Sequence, residues 1–480
     1  VADQEGLLDT DGQAAPRLPP MRGDLTQGPI LRTLIGFSLP ALFSQILQTI
    51  GGSINAIWVG QLLGETAVAA TANANILMFL MFGTVFGFGM ATTIAVGRNM
   101  GARNIDAARH SFGGGIGFCT GLAVLIAVVG WIFAEEVLRL LATPPEVRKV
   151  ALDYLRITFV SMPFATIAMM IGMGLRGAGD ATTPLINSIL TVVIGAVLNP
   201  LLILGVGPIP ALGIAGSALA GALSMLIGAV VMIWTVYWKD NPLRLRGREL
   251  AYLFPSRAEL AYMVTKGLPM GAQTMLSTAA GLIMVGLVNR EGMLATAAYG
   301  ASLQLWNYVQ MPAMAVGSAM STMVAQNVGA RQHDRIGRIT MAGIWVTCGV
   351  TATLTAIILL FDRPILGLFL GHGSAAIPLA EHIQLVCNWS FLLGGIMMAL
   401  FATMRAYGSV MIPMLVMFVA MYPGRIGFYV LAHPVIGAEA VWWAYPVGSA
   451  LSVVLSVLAS RHGPWRRLQT EAIARDAAPA

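Results

Sequence analysis

Twelve stretches of about 20 or more residues, almost free of charge, alternate with short polar segments along this chain. They fall near 33–60, 66–96, 112–134, 152–174, 184–206, 214–238, 262–289, 295–324, 340–361, 379–403, 412–433 and 440–460. Each is long enough to cross a ~30 Å hydrocarbon core as a helix. A segment in lipid must satisfy its own backbone N–H and C=O groups, so runs of this length predict helices. The ~10-residue alternation of a membrane barrel is absent. The pattern predicts an all-α polytopic membrane protein with twelve transmembrane helices. The longest polar interior segment, residues 239–261 (KDNPLRLRGRELAYLFPSRAELA), separates the sixth span from the seventh. It divides the chain into two six-helix bundles, 31–238 and 262–460, with a polar arm over 1–30 and a tail over 461–480. The arm is rich in Pro, Gly and Asp and has no apolar core, so it reads as a disordered tail rather than a cleavable signal peptide.

The two bundles are copies of one design. GRNMGARNIDAARH at 97–110 recurs as AQNVGARQHDRIGR at 325–338, which places Asn99, Gly101, Ala102, Arg103 and Asp106 in register with Asn327, Gly329, Ala330, Arg331 and Asp334. Leu39-Pro40 returns as Leu268-Pro269, and Arg176, Gly179 and Pro184 return as Arg405, Gly408 and Pro413. Repeated supersecondary units of this kind define the architecture before any local detail does. Six spans per half is an even number, so both halves enter the membrane in the same sense. A parallel repeat has its two-fold axis along the membrane normal, and transporters of that build bind substrate near the midplane between the halves.

Composition sharpens the class. Hydrophobic residues are 57% of the chain and charged residues 10%, against roughly 25% charged in soluble domains. Mean hydropathy is +0.76. The net charge of +6 does not point to nucleic acid, because 21 of the 28 Lys and Arg fall on one side of the predicted membrane, the side of both termini and both GAR loops. By the positive-inside rule that side is cytoplasmic. The three cysteines lie in or beside apolar runs with no metal spacing. The 28 methionines are scattered through the spans and read as flexible core filling. No phosphate-binding loop, metal-ligand cluster or nucleophile–base pair appears, so neither an ATPase nor a membrane-embedded enzyme is indicated, and no cofactor or metal is implied.

The entry segment LTQGPILRTLIGFSLPAL (25–42), the two GAR loops, LRGAGDATTP (175–184), LNPLLILGVGPIPALGIAGSALA (198–220), MRAYGSVMIP (404–413) and VWWAYP (441–446) together resemble the multidrug and toxic compound extrusion (MATE) family, over roughly residues 25–460. The resemblance implies a V-shaped pair of six-helix bundles that alternates between outward- and inward-open states. It implies export of small amphipathic, often cationic compounds, driven by inward Na⁺ or H⁺, by a monomer surrounded by lipid in a bacterial-type inner membrane. A lipid-linked-precursor flippase of the same superfamily and an uncoupled relative are the alternatives.

Intramembrane carboxylates are costly and mark function, yet positions where the family carries them hold Asn55, Asn199, Ser277 and Gly394 here. An amide supplies an acceptor oxygen and two donors but does not titrate. Asn55 and Asn199 are therefore candidates either for a polar cation or substrate site or for a bond between helices. Gln304, Asn307 and Tyr308 share one helical face ahead of Pro312, and with Trp306 beside it they are candidates for the substrate cavity. Arg425 is the clearly intramembrane cation, a structural or gating candidate expected to pair with carbonyls freed by Pro423 or to cap a neighbouring helix. Asp153 and Arg156, three apart, are expected to form a helical ion pair. The GAR loops read as structural hinges, with Arg103 and Arg331 as structural or gating residues.

Overall fold

A computed structural model describes residues 23–140, 145–205, 210–371, 373–462 and 470. The first half contains α1 (Ile30–Leu63), α2 (Glu65–Gly101), α3 (Ile105–Ile132), α4 (Pro145–Gly177), α5 (Thr182–Leu204) and α6 (Gly213–Trp238). The second contains α7 (Leu268–Arg290), α8 (Met293–Gly329), α9 (His333–Leu360), α10 (Ile377–Ala406), α11 (Met411–Ile436) and α12 (Glu439–His462). The twelve helices follow the twelve apolar runs but extend beyond several of them. An apolar run marks the part in hydrocarbon, whereas a helix continues into water wherever its end groups are satisfied. At the start of α3, for example, the Asn104 side chain caps the Ala107 N–H at 3.0 Å. α10 is jointed at Asn388, and α11 carries a π-helical segment over Ala420–Ile426 around Pro423.

Among the described residues, ten of the helices qualify as candidate membrane spans by length and composition. The other two, α2 and α8, occupy equivalent places in the halves and are 37 residues each. They pack on each other, and α2 packs on α7 while α8 packs on α1.

The buried side chains form one shared core and separate lobe cores. Near the GAR loops, Leu34, Phe37, Phe88, Ile94 and Met173 from the first half interlock with Met270, Met320, Val324, Ile339 and Met404 from the second. Towards the other face there are two cores. One holds only first-half residues, including Met78, Leu155 and Phe159. The other holds only second-half residues, including Tyr299, Trp306 and Trp442. Two bundles joined at one end and separately packed at the other make a V that opens away from the GAR loops.

The arm departs from the expectation of a disordered tail through residue 30. Residues 1–22 lie outside the described residues, but Gly23–Pro29 is built into the junction of the lobes, with Leu25 and Thr26 buried. The inter-half linker is also tied down. It carries a short helix over Gly247–Leu253, and Arg109 of α3 reaches the Pro242 carbonyl and the Glu249 carboxylate, each at 2.7 Å.

Candidate functional site: the seam between the lobes

The seal on the GAR-loop side follows the sequence repeat. α2 and α8 both end in a left-handed residue, Arg103 at φ 57° and Arg331 at φ 59°. The residue after each bonds back to the last turn, Asn104 N–H to the Asn99 carbonyl and Gln332 N–H to the Asn327 carbonyl, both at 2.9 Å. These are the 6→1 bonds of a Schellman ending, which normally takes glycine at the left-handed position. Gly101 and Gly329 meet the opposite helix. A Cβ on Gly101 would sit 1.9 Å from the Gln326 carbonyl oxygen, and one on Gly329 would sit 1.9 Å from the Arg98 carbonyl oxygen. Gln326 and Arg98 occupy matching repeat positions, so the two contacts are related by the internal two-fold. Deeper in, a Cβ on Gly87 of α2 would sit 2.1 Å from the backbone nitrogen of Gly271 on α7.

The chain entry locks this seal. Leu25 N–H donates to Gln326 Oε1 at 2.9 Å, while Gln326 Nε2 donates to the Gly177 carbonyl at 3.0 Å. Asn327 Nδ2 donates to the Leu25 carbonyl at 3.2 Å, and Arg103 lies 3.7 Å from Asp24. Arg335 adds a bond to the Gly28 carbonyl at 3.1 Å. Sequence reasoning passed over Gln326. Its one signal was that the repeat disagrees there, with Arg98 in the matching place.

Within the first lobe, Asn55 of α1 and Asn199 of α5 are in direct contact. Asn199 Nδ2 donates to Asn55 Oδ1 at 2.5 Å, and Ser217 Oγ of α6 donates to the same oxygen at 3.0 Å. Asn199 is 4% exposed, and its Oδ1 is buried without a partner. The cluster joins three helices and leaves the Asn199 carbonyl oxygen directed at no protein donor. A buried acceptor in that state carries an unrecovered desolvation cost of ~1–3 kcal/mol, and a cation or a donor from a bound molecule would recover it.

In the second lobe, Gln304, Asn307 and Tyr308 form an exposed strip on α8, with Tyr308 55% exposed. Trp306 points the other way, into the lobe, and is 2% exposed. Its indole N–H donates to Gln384 Oε1 at 3.1 Å, and its ring packs against Tyr299, Phe391 and Tyr445. Arg425 stacks over the Tyr445 ring at 4.3 Å, and its Nε has no partner. The expected pairing with carbonyls freed by Pro423 is replaced by this cation–π contact, because the π-helical turn aims the side chain at α12. At the open end, His382 bonds Glu439 and His433 bonds Glu291, each at 3.0 Å. The Asp153–Arg156 pair expected from helical spacing is not formed. Arg156 lies instead over Trp131, 5.0 Å from the ring centroid. Among the described residues, no group of three or more His, Cys, Asp or Glu gathers as metal ligands.

The repeat and the fold match known proteins. The MatE family model fits twice, to residues 40–201 and 269–431, once in each lobe. The chain belongs to the MatE family. This MatE protein is 34% identical over 431 residues to the probable multidrug resistance protein YoeA of Bacillus subtilis, an alignment covering 89% of this chain and 92% of that protein. It is 25% identical over 394 residues to the multidrug export protein MepA of Staphylococcus aureus, covering 80% and 83%. In fold it matches a multidrug resistance MATE family transporter in an outward-facing conformation, with TM-score 0.84, 20% identity and coverage of 94% and 99%. It is accordingly an integral membrane protein of a transporter family with the twelve-helix, two-lobe fold.

Proposed function

We propose that this MatE protein is a secondary active exporter of small amphipathic or cationic organic compounds, working by alternating access. The observation that carries the reading is the split core, one shared core beside the GAR loops and two separate cores beyond it. Such a body has two natural arrangements, because the shared contacts can part while the lobes close at the other end. The names of the relatives support multidrug export. Placement in a bacterial-type inner membrane, with both termini and the GAR loops cytoplasmic, rests on the Lys and Arg distribution and on the bacterial relatives. The sealed side is then the cytoplasmic one, and the V faces outward.

Substrate would sit between the lobes against the Gln304–Asn307–Tyr308 strip, which offers hydrogen bonds and a flat ring. Aromatic faces attract cations by ~0.5–2 kcal/mol, so no buried carboxylate is needed to hold an organic cation. Inward Na⁺ or H⁺ is the proposed drive. The Asn55–Asn199–Ser217 cluster offers oxygens to Na⁺ but no group that titrates, which favours Na⁺ at this cluster over a proton. The same amides favour uncoupled movement as the second reading. Neither reading needs a cofactor, an enzymatic step or a second subunit.

The deciding experiment is uptake of a fluorescent organic cation into inside-out vesicles, with Na⁺ and proton gradients imposed separately. Uptake driven by either gradient supports coupled export. Correctly inserted protein that responds to neither would overturn the coupling claim for these substrates.

A further inference from the structure

An apolar groove of about 480 Å³ lies between α3 and α4 on the face away from the GAR loops, lined by Val124, Ala127, Val128, Trp131, Ile132, Val160 and Pro163. Its volume falls within the ~300–1,000 Å³ of ligand clefts. Val128, Trp131 and Val160 are exposed along it, so it opens sideways towards the bilayer rather than into the lobe. At its mouth, one turn before Val160, stands Arg156. The guanidinium covers the Trp131 ring at 5.0 Å, and its Nε is buried with no hydrogen-bond partner. Asp153, the carboxylate one turn away, does not pair with it and is exposed. Lys149, also exposed, lies about two turns nearer the helix end and adds a second positive charge on that side.

A guanidinium without a carboxylate is expensive at membrane depth unless an anion comes to it. The ligand must combine a phosphate-like anion at Arg156 with an apolar tail running inward past Val160 and Pro163, ~10 Å further along the helix at 1.5 Å per residue. We propose that this groove binds an anionic phospholipid, with the phosphate on Arg156 and one acyl chain in the groove. Arg presents a planar donor fork that suits phosphate, and a headgroup lacking an ammonium leaves that phosphate unneutralised. On the proposed orientation the lipid comes from the outer leaflet, but the binding does not depend on that assignment.

The test is lipid binding to the full-length purified protein, read by native mass spectrometry. The probes are phosphatidylglycerol, phosphatidylcholine with the same chains, and glycerol 3-phosphate. Phosphatidylglycerol should bind about fivefold more tightly than phosphatidylcholine, the effect of one basic group facing an anionic lipid. Arg156→Gln should abolish that preference, Arg156→Lys should keep part of it, and Arg290→Gln at a distant helix end should change nothing. Val160→Trp, which fills the groove while leaving the charge, should weaken both lipids together. Equal binding of the two lipids by the native protein, or a preference unchanged in Arg156→Gln, overturns the proposal. Competition by glycerol 3-phosphate as strong as by the whole lipid also overturns it, since the site would then be a phosphate site without a chain.

Discussion

Gln326 is the point at which the seal between the lobes is most open to attack. Its side chain takes the Leu25 N–H and gives a hydrogen to the Gly177 carbonyl, so one residue of the second lobe holds the chain entry and the first lobe together. In Gln326→Leu both partners stay buried while the seal is closed, and each unsatisfied backbone group costs ~1–3 kcal/mol. When the seal opens, water reaches both groups and the penalty disappears. The substitution therefore raises the closed state alone, by a combined ~3 kcal/mol, and should shift the closed-to-open ratio by ~150-fold. The assay is thiol labelling from the GAR-loop side. Cys119, Cys348 and Cys387 are replaced by Ser, and a single cysteine is placed at Met323, which is 1% exposed within the shared core. Labelling should be slow while Gln326 is present and at least tens of times faster in the Gln326→Leu variant. Equal rates would refute the idea that these bonds hold the seal. Faster labelling accompanied by loss of the folded protein would mean that general destabilisation, not gating, was being read.

Three further outcomes follow from the same geometry. Gly101→Ala and Gly329→Ala each drive a Cβ into a carbonyl oxygen 1.9 Å away; the internal two-fold predicts matching gains in labelling at position 323, and a large difference between them would break the symmetry argument. Asn55→Ala removes the acceptor shared by Asn199 and Ser217 and should lower thermal stability by the ~1–3 kcal/mol of orphaned polar groups, whereas Asn55→Asp should add a pH-dependent step to vesicle uptake that the native protein lacks. Uptake by Asn55→Asp that is no more pH-dependent than the native protein's would show that this cluster does not touch the transport cycle. Trp306→Phe keeps the ring but leaves buried Gln384 without its donor, so it should cost ~1–3 kcal/mol in unfolding measurements while leaving substrate affinity unchanged; an affinity loss with intact stability would instead place Trp306 at the substrate.

The order and number of the helices were legible in the sequence because lipid enforces a length and an apolarity that few other contexts require. The duplication was legible as well, since both GAR loops must close helices that meet across one axis. What the apolar pattern could not supply was partner choice. Arg156 and Asp153 have the spacing of an ion pair, yet a flat indole on α3 takes the guanidinium. Arg425 sits beside a helix-breaking proline, yet a π-helical turn aims it at Tyr445 on α12. Trp306 was placed on α8 but not in the lobe interior, because a rotation of the helix about its axis separates a cavity wall from a core.

The sequence by itself determined a twelve-helix duplicated membrane protein, the chain segments that form each lobe and the replacement of titrating acids by Asn55 and Asn199. Only the tertiary structure decided that those two amides touch, that Leu25 and Gln326 lock the GAR-loop side, and that the core divides into two beyond the seam. The reason is physical. Hydrophobic length and repeat register are properties of the chain and survive without its neighbours. A hydrogen bond between α1 and α5, or a glycine-to-carbonyl contact between α2 and α8, exists only when two distant segments are brought within about 3 Å, a requirement of hydrogen-bond geometry that no local pattern encodes.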